Sequence, residues 1–391
     1  MSTRARGRLD RPEVRIAVFA LLFRLVSALL AFFMNLVFPL HQREQFTMFG
    51  RPNAFWDPFT RYDSGWYYGI ARTGYDASAA IAGGRSNIAF FPVYPMLMRY
   101  VGRLFGRAPS DVYLGGIVVA WASFVLAMVA LYHLAGLDLP RRRAERAVLL
   151  TAAFPFAFFF GVAYSESTFL LFTVTAFYLL RTRRWMLGGL AAAVAGATRA
   201  TGIVMWPALA WIAWRSAEPT ARDRLQAVGA LGLAATGFAA YCLYIYSVSG
   251  NPLLWAAAIT RWDYHPGGAP WSAPLNLIAR LVTQPFTYLT SDPMAPYDTL
   301  NGATGILFAT AVPFVWRRLG AAYGLFMLAN LWLPLSSGTF EGMGRYCAVL
   351  FPCFIWLASI RSGLFSTTTV VLFAMFYTLG LALFTTIHPL F

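Results

Sequence analysis

The sequence contains no lysine, and charged residues of any kind make up only 12% of its 391 positions. A soluble domain normally carries about 25%, so the chain has too little charge to be read as a water-soluble protein. Also missing are an Asp-x-Asp pair, a cluster among the four histidines, and a glycine-rich nucleotide loop. No metal and no cofactor are therefore expected. The three cysteines, Cys242, Cys347 and Cys353, lie in apolar stretches without metal-ligand spacing, which predicts inert packing. What is abundant is apolar surface: 59% of residues are hydrophobic, and the mean hydropathy is +0.57. Apolar runs of about 20 residues, enough to cross a ~30 Å hydrocarbon layer, recur from end to end. The first run is too long for a signal-peptide core and has no small-residue cleavage site after it, so it is expected to stay as a span.

The net charge of +15 is carried by arginine, much of it in short clusters between apolar runs. These are Arg4, Arg6, Arg8 and Arg11; Arg141, Arg142, Arg143 and Arg146; Arg181, Arg183 and Arg184; Arg215, Arg222 and Arg224; and Arg317 and Arg318. That is the bias of cytoplasmic loops, not a stripe following a nucleic-acid backbone. The runs predict an all-α, polytopic transmembrane bundle of about eleven spans, a single membrane domain over 1–391. Spans are expected near 12–40, 111–137, 147–164, 166–180, 186–199, 202–214, 226–249, 300–316, 319–336, 345–360 and 364–387. With the N-terminus cytoplasmic, the basic loops at 138–146, 181–185, 215–225, 317–318 and 361–363 fall inside, and the two longest connections, 41–110 and 250–299, fall outside. The segments 186–199 and 202–214 are short and broken at Thr198–Gly202, as half-helices meeting at a cavity would be. Residues 65–76, 88–105 and 271–290 mix aromatics with arginine, the composition of helices lying in the membrane interface.

The first long outer loop holds the densest polar cluster, Arg61-Tyr62-Asp63-Ser64-Gly65-Trp66-Tyr67, followed by Gly74-Tyr75-Asp76 and Asn87-Ile88-Ala89-Phe90-Phe91-Pro92-Val93-Tyr94-Pro95. The order Tyr-Asp-x-x-Trp-Tyr-x-x-Ile-Ala-x-x-Gly-Tyr, then Asn-x-Ala-Phe-Phe-Pro-x-Tyr-Pro, resembles the PIG-V type of mannosyltransferase, which has bacterial relatives. Tyr164-Ser165-Glu166-Ser167, Thr198-Arg199-Ala200-Thr201-Gly202 and Arg345-Tyr346 before Pro352 keep the family's order. The resemblance covers most of the chain, and the first-loop motif carries most of its specificity. It implies a GT-C glycosyltransferase that moves a sugar, typically mannose, from a polyprenyl-phosphate donor, with a catalytic acid in the first outer loop, here Asp63. Eukaryotic members have Trp and His where this chain has Tyr62 and Trp66, and Glu near the position of Arg85. These departures leave the sugar and the acceptor open.

The chemistry so implied needs a carboxylate to take the acceptor hydroxyl's proton and cations to meet the charge growing on the leaving phosphate. Asp63 suits the first task, and Arg61, Arg199, Arg261 and Arg345 suit the second, with Arg72 also on the outer side; arginine's fork matches phosphate oxygens without a divalent metal. Trp66, Tyr67, Asn87, Glu166 and His265 are candidates for sugar or acceptor contact, the acceptor being a glycolipid or glycan. Asp63 is expected at the mouth of the largest outward cavity, with at least one of Arg199, Arg261 and Arg345 across from it. Each residue also has a bland reading. Asp63 could cap a helix or pair with Arg61, and Asp57, its rival, has turn chemistry. Glu166 could cap the next helix; Arg199 and Arg345 could snorkel; Asp263 could pair with Arg261. Arg24, inside the first span, reads as snorkelling or as paired within the bundle. The expected setting is the plasma membrane, with the site extracytoplasmic. The alternatives are a lipid or solute transporter or flippase, and an inactive assembly subunit of the same fold. No internal repeat supports a transporter.

Overall fold

A computed structural model describes residues 11–42, 47–262, 267–291 and 295–388, and every regular element among them is helical. Five helices are long and apolar enough to cross a membrane: Pro12–Val37, Pro109–Gly136, Ala221–Ser249, Tyr297–Leu319 and Gly363–Thr385. Each overlays one of the eleven expected spans. The other six expected spans fall on shorter pieces, among them Glu166–Arg181, Trp185–Gly196, Trp206–Ser216 and Ala321–Leu335. The expected spans at 147–164 and 345–360 are each broken. The first joins Arg141–Ala153 to a 3₁₀ turn at Ala157–Gly161, and the second is divided between Met343–Ala348 and Phe351–Ser359.

The long helices are apolar where they face outward. Only 22% of the most apolar window of Ala221–Ser249, and 28% of that of Gly363–Thr385, is buried. Along Pro12–Val37 the large side chains Leu22, Val26, Leu29 and Phe33 point out, while the small Ala20, Ser27, Ala28 and Ala31 point in. Water would penalise such a surface, whereas lipid favours it and leaves close packing to the small residues. The bundle interior is aromatic: Phe154, Phe156, Phe158, Phe159 and Phe160 are all buried.

Arg24 does not snorkel. It is 1% exposed; one guanidinium nitrogen donates to the Ala157 carbonyl at 3.1 Å and another to the Tyr377 hydroxyl at 3.3 Å. Its guanidinium carbon lies 4.3 Å from the Phe124 ring centroid, a cation–π contact favoured where water is absent. The residue thereby ties the first helix to the last and to the 3₁₀ turn that leads into Tyr164, Ser165 and Glu166.

The two loop regions expected outside contain short helices. Ser64–Thr73 and Val93–Gly102 lie in the first, with Val93–Gly102 packed along Pro109–Gly136; Ser272–Thr283 and Pro285–Ser291 lie in the second. The break at Thr198–Gly202 is a 3₁₀ turn, Ala200–Met205, entered through an extended Arg199.

The helix Trp185–Gly196 packs closely on Ala221–Ser249. A Cβ at Gly237 would sit 1.8 Å from the Ala193 carbonyl oxygen, and one at Gly189 would sit 2.5 Å from that of Ala230. Gly229 and Gly232, in the same glycine-rich stretch, have nothing within 4 Å and take no part in the seam. Gly237→Val is therefore expected to force the helices apart and cost about 2–4 kcal/mol through overpacking and backbone shift. Gly232→Ala is expected to be neutral or slightly stabilising. Thermal unfolding of the two variants in detergent checks both; a tolerant Gly237 would refute the close-packed seam.

Candidate active site

The first outer loop is held by its own polar tethers. The Asp57 carboxylate accepts from the backbone nitrogens of Met48, at 3.0 Å, and Asn53, at 2.6 Å. Asp57 is 1% exposed and belongs to the loop's framework, as its turn chemistry suggested. Tyr62 follows with φ of 52°, a left-handed conformation that costs an aromatic residue about 1–3 kcal/mol. Its hydroxyl donates to the His388 carbonyl at 2.6 Å, so the chain's end pins the strained residue. The next residue is Asp63.

Asp63 precedes the Ser64–Thr73 helix, but its carboxylate makes no capping bond. Its backbone nitrogen donates to the Tyr164 hydroxyl at 3.1 Å, and that hydroxyl donates to the Arg61 carbonyl at 3.3 Å. This arrangement turns the side chain toward Arg345, whose Nη1 lies 2.5 Å from Asp63 Oδ2. The Nε of Arg345 lies 2.8 Å from Glu166 Oε1, and the same oxygen pairs with Arg199 Nη1. Four residues from four distant segments thus form one chain of alternating charge: Asp63, Arg345, Glu166, Arg199. Glu166 is fully buried. Rings flank the cations, with Tyr164 5.3 Å from the Arg345 guanidinium carbon and Tyr346 5.5 Å from that of Arg199.

Beside this chain lies a cavity of about 550 Å³, the size of a small-molecule site. Asp63, Arg345, Arg199, Thr198 and Thr201 line one side. Trp66, Tyr67, Phe90 and Trp262 supply aromatic lining, and Arg85 and Glu341 supply further charge. Trp66 packs parallel to Phe90, with centroids 6.1 Å apart, and meets the edge of Trp262 at 4.9 Å. The Arg85 guanidinium lies 5.1 Å from the Trp262 ring, and its Nε donates to the Arg261 carbonyl at 3.0 Å. The Tyr67 hydroxyl is 2.8 Å from Ser165 Oγ, and burial pushes this phenol's pKa well above its ordinary value of 10. It is therefore a neutral hydroxyl on the cavity wall. Three buried polar atoms in or next to the cavity, Glu166 Oε2, Thr201 Oγ1 and Trp262 Nε1, have no hydrogen-bond partner. Such orphans are rare in folded proteins and suit a polar ligand.

Of the candidates named from sequence, Asp63, Trp66, Tyr67, Arg199 and Arg345 are brought together at the cavity. Glu166 does not line it and reaches it through the two arginines. Arg61 is buried away from it and donates to Asn35 Oδ1 at 3.1 Å. Arg261 meets it through its neighbours Arg85 and Trp262. Asn87 bridges loop backbone, donating to the Gly74 carbonyl at 3.1 Å and accepting from the Asp76 nitrogen at 3.0 Å. Arg72 is exposed and bonds Tyr68 at 2.7 Å. His265 and Asp263 lie outside the described residues. Sequence reasoning missed Arg85, Trp262, Tyr346 and Glu341 as lining residues. A usable signal existed for Glu341, the single acid in the expected outer connection 337–344. None existed for Arg85 meeting the loop at Trp262, almost half the chain away.

The sequence matches no protein-family model and no curated protein. Among solved structures, the chain is similar to the oligosaccharyltransferase of Archaeoglobus fulgidus. For the apo crystal structure the TM-score is 0.49 at 13% identity, covering 95% of this chain and 56% of that one. For the same enzyme, AglB, in complex with an inhibitory peptide and a dolichol-phosphate, the TM-score is 0.43 at 13% identity, covering 95% and 56%. The chain spans about half the length of the structures it matches. Likeness this distant carries no statement about chemistry, which rests on the cavity's own residues.

Glu166→Gln keeps the shape of the side chain but removes the carboxylate from Arg199 and leaves Arg345 with Asp63 alone. Breaking a buried pair costs about 3–5 kcal/mol, so a drop of that order in unfolding free energy is expected. An unchanged melting temperature in detergent would count against the charge chain.

Proposed function

We propose that the protein is a membrane glycosyltransferase of GT-C type that moves a sugar from a polyprenyl-phosphate donor to a lipid-linked or glycan acceptor. The observation that carries this reading is Asp63 standing at the cavity within 2.5 Å of Arg345, with Arg199 also on the lining. A base, two cations and an aromatic wall are what such a transfer requires. The helices long and apolar enough to cross a membrane also support it, since a polyprenyl chain is dissolved in the same bilayer. Mannose is the sugar proposed, on the first-loop motif. The setting proposed is the plasma membrane, with the N-terminus cytoplasmic and the cavity extracytoplasmic, as the arginine clusters favour.

In the proposed reaction the acceptor oxygen attacks the anomeric carbon as its proton passes to the Asp63 carboxylate. The bond between the anomeric carbon and the phosphate oxygen breaks, and its electron pair leaves with the lipid phosphate. One such displacement inverts the anomeric centre, converting a β-linked donor into an α-glycoside. Arg345 and Arg199 meet the charge that grows on the leaving phosphate, and the Trp66, Phe90 and Trp262 rings offer apolar faces to the sugar.

Radiolabelled polyprenyl-phosphate mannose, incubated with lipid extract and matched membranes, tests the reading. Wild type is expected to transfer label, and Asp63→Asn to lose about a hundredfold to ten-thousandfold of the rate, the span of general-base catalysis, while still binding donor. Full activity in Asp63→Asn would overturn the assignment of the base. Because the arginines supply the positive charge, transfer is expected to persist in excess EDTA; its loss there, restored by added divalent metal, would overturn the metal-independent reaction.

A further inference from the structure

The four charges of the chain sum to zero, two carboxylates, Asp63 and Glu166, against two guanidiniums, Arg199 and Arg345, and the further lining charges Arg85 and Glu341 add one of each sign. A neutral cluster offers an incoming phosphate little net attraction, so the phosphate gains most by taking the place of a carboxylate. The two carboxylates are not equally replaceable. Glu166 is fully buried and its Oε1 serves both arginines, so displacing it would leave two buried cations without that carboxylate. Asp63 is on the cavity wall with 23% of its side chain exposed, and it meets Arg345 at Nη1. Arg345 meanwhile lies beside Glu166 through a different nitrogen, Nε, 2.8 Å from Oε1, as a contact of charges without hydrogen-bond geometry. One side of the guanidinium is thus held by the charge of a buried carboxylate, and the other is shared with a group that can let go.

We infer, building on the lipid-phosphate reading above, that Glu166 is a positioning residue that anchors Arg345, and that a bound phosphate takes the Nη1 edge of Arg345 from Asp63. The exchange ties the availability of the base to the presence of the donor. Without donor the Asp63 carboxylate is held by the Arg345 guanidinium. With donor it is released from that pair and is free to face the acceptor's hydroxyl. Asp63 then accepts the acceptor's hydroxyl proton when the sugar is in place, and the site does not activate water in the donor's absence.

Binding measurements on full-length protein in detergent test this without catalysis. Farnesyl phosphate and inorganic phosphate are titrated side by side against wild type, Asp63→Asn, Asp63→Ala, Arg345→Gln and Glu166→Asp, followed by isothermal titration calorimetry. Removing the competing carboxylate is expected to tighten farnesyl phosphate binding about tenfold in both Asp63 variants, and Arg345→Gln to weaken it about tenfold. Inorganic phosphate is expected to follow the same order at lower affinity. Added to Glu166→Asp, Asp63→Asn is expected to give no tightening, because a shortened anchor no longer holds the Nη1 edge at the cavity. Equal or weaker binding by both Asp63 variants would overturn the exchange and leave the lipid-phosphate reading standing. No farnesyl phosphate binding by any of the proteins would overturn both. The same tightening from Asp63→Asn in the Glu166→Asp background would overturn the positioning role of Glu166.

Discussion

A carboxylate buried where no water reaches it must be matched by cations, and Glu166 is matched by two. Its fully buried Oε1 gathers Arg199 from a broken helix and Arg345 from a short helix near the C-terminus. Arg345 in turn reaches Asp63 in the first long loop. The demand for charge balance in a medium of low dielectric therefore helps fix the relative positions of four segments. The cavity is the space left beside this cluster, and its polar side is the cluster's own edge.

The surroundings serve the same end. Asp57 and Asn53 fold the loop back on itself, Tyr62 is held in a strained conformation by its bond to the His388 carbonyl, and Tyr164 fixes the backbone of Asp63. Arg24 repeats the theme at a second place, anchoring the 3₁₀ turn that delivers Tyr164, Ser165 and Glu166. In both places an arginine reaches across elements that are distant in sequence. Arginine suits this work because its planar fork offers several donors in fixed directions and is weakly hydrated. In a chain without lysine, the same residue type marks the expected inner loops and builds the site. Composition alone cannot separate those two uses.

Much of the fold was legible because its physics is local. A stretch of about 20 apolar residues is a spanning helix whatever its neighbours are, and all five long helices coincide with expected spans. The interruption at Thr198–Gly202 was legible for the same reason, since the periodicity stops there. The short broken elements at 141–161 and 343–359 were less so, because their backbone turns are compensated by tertiary contacts that hydropathy does not record. Within the site, Asp63, Arg199 and Arg345 stood out as polar residues in motifs flanked by apolar sequence. Glu166 stood out too, but as a ligand contact, whereas its position is behind the arginines. Arg61 was misleading in a simple way: adjacent to Asp63 in sequence by two residues, it turns to Asn35 instead.

The sequence by itself determined an all-helical, lipid-facing chain and the residue types available for chemistry, since both follow from composition and short-range order. Only the tertiary structure decided which charges meet. The partners in the charge chain are separated by 282 residues between Asp63 and Arg345 and by 33 between Glu166 and Arg199. An ion pair is set by distance in space and by exclusion of water, and neither quantity is written in the local sequence.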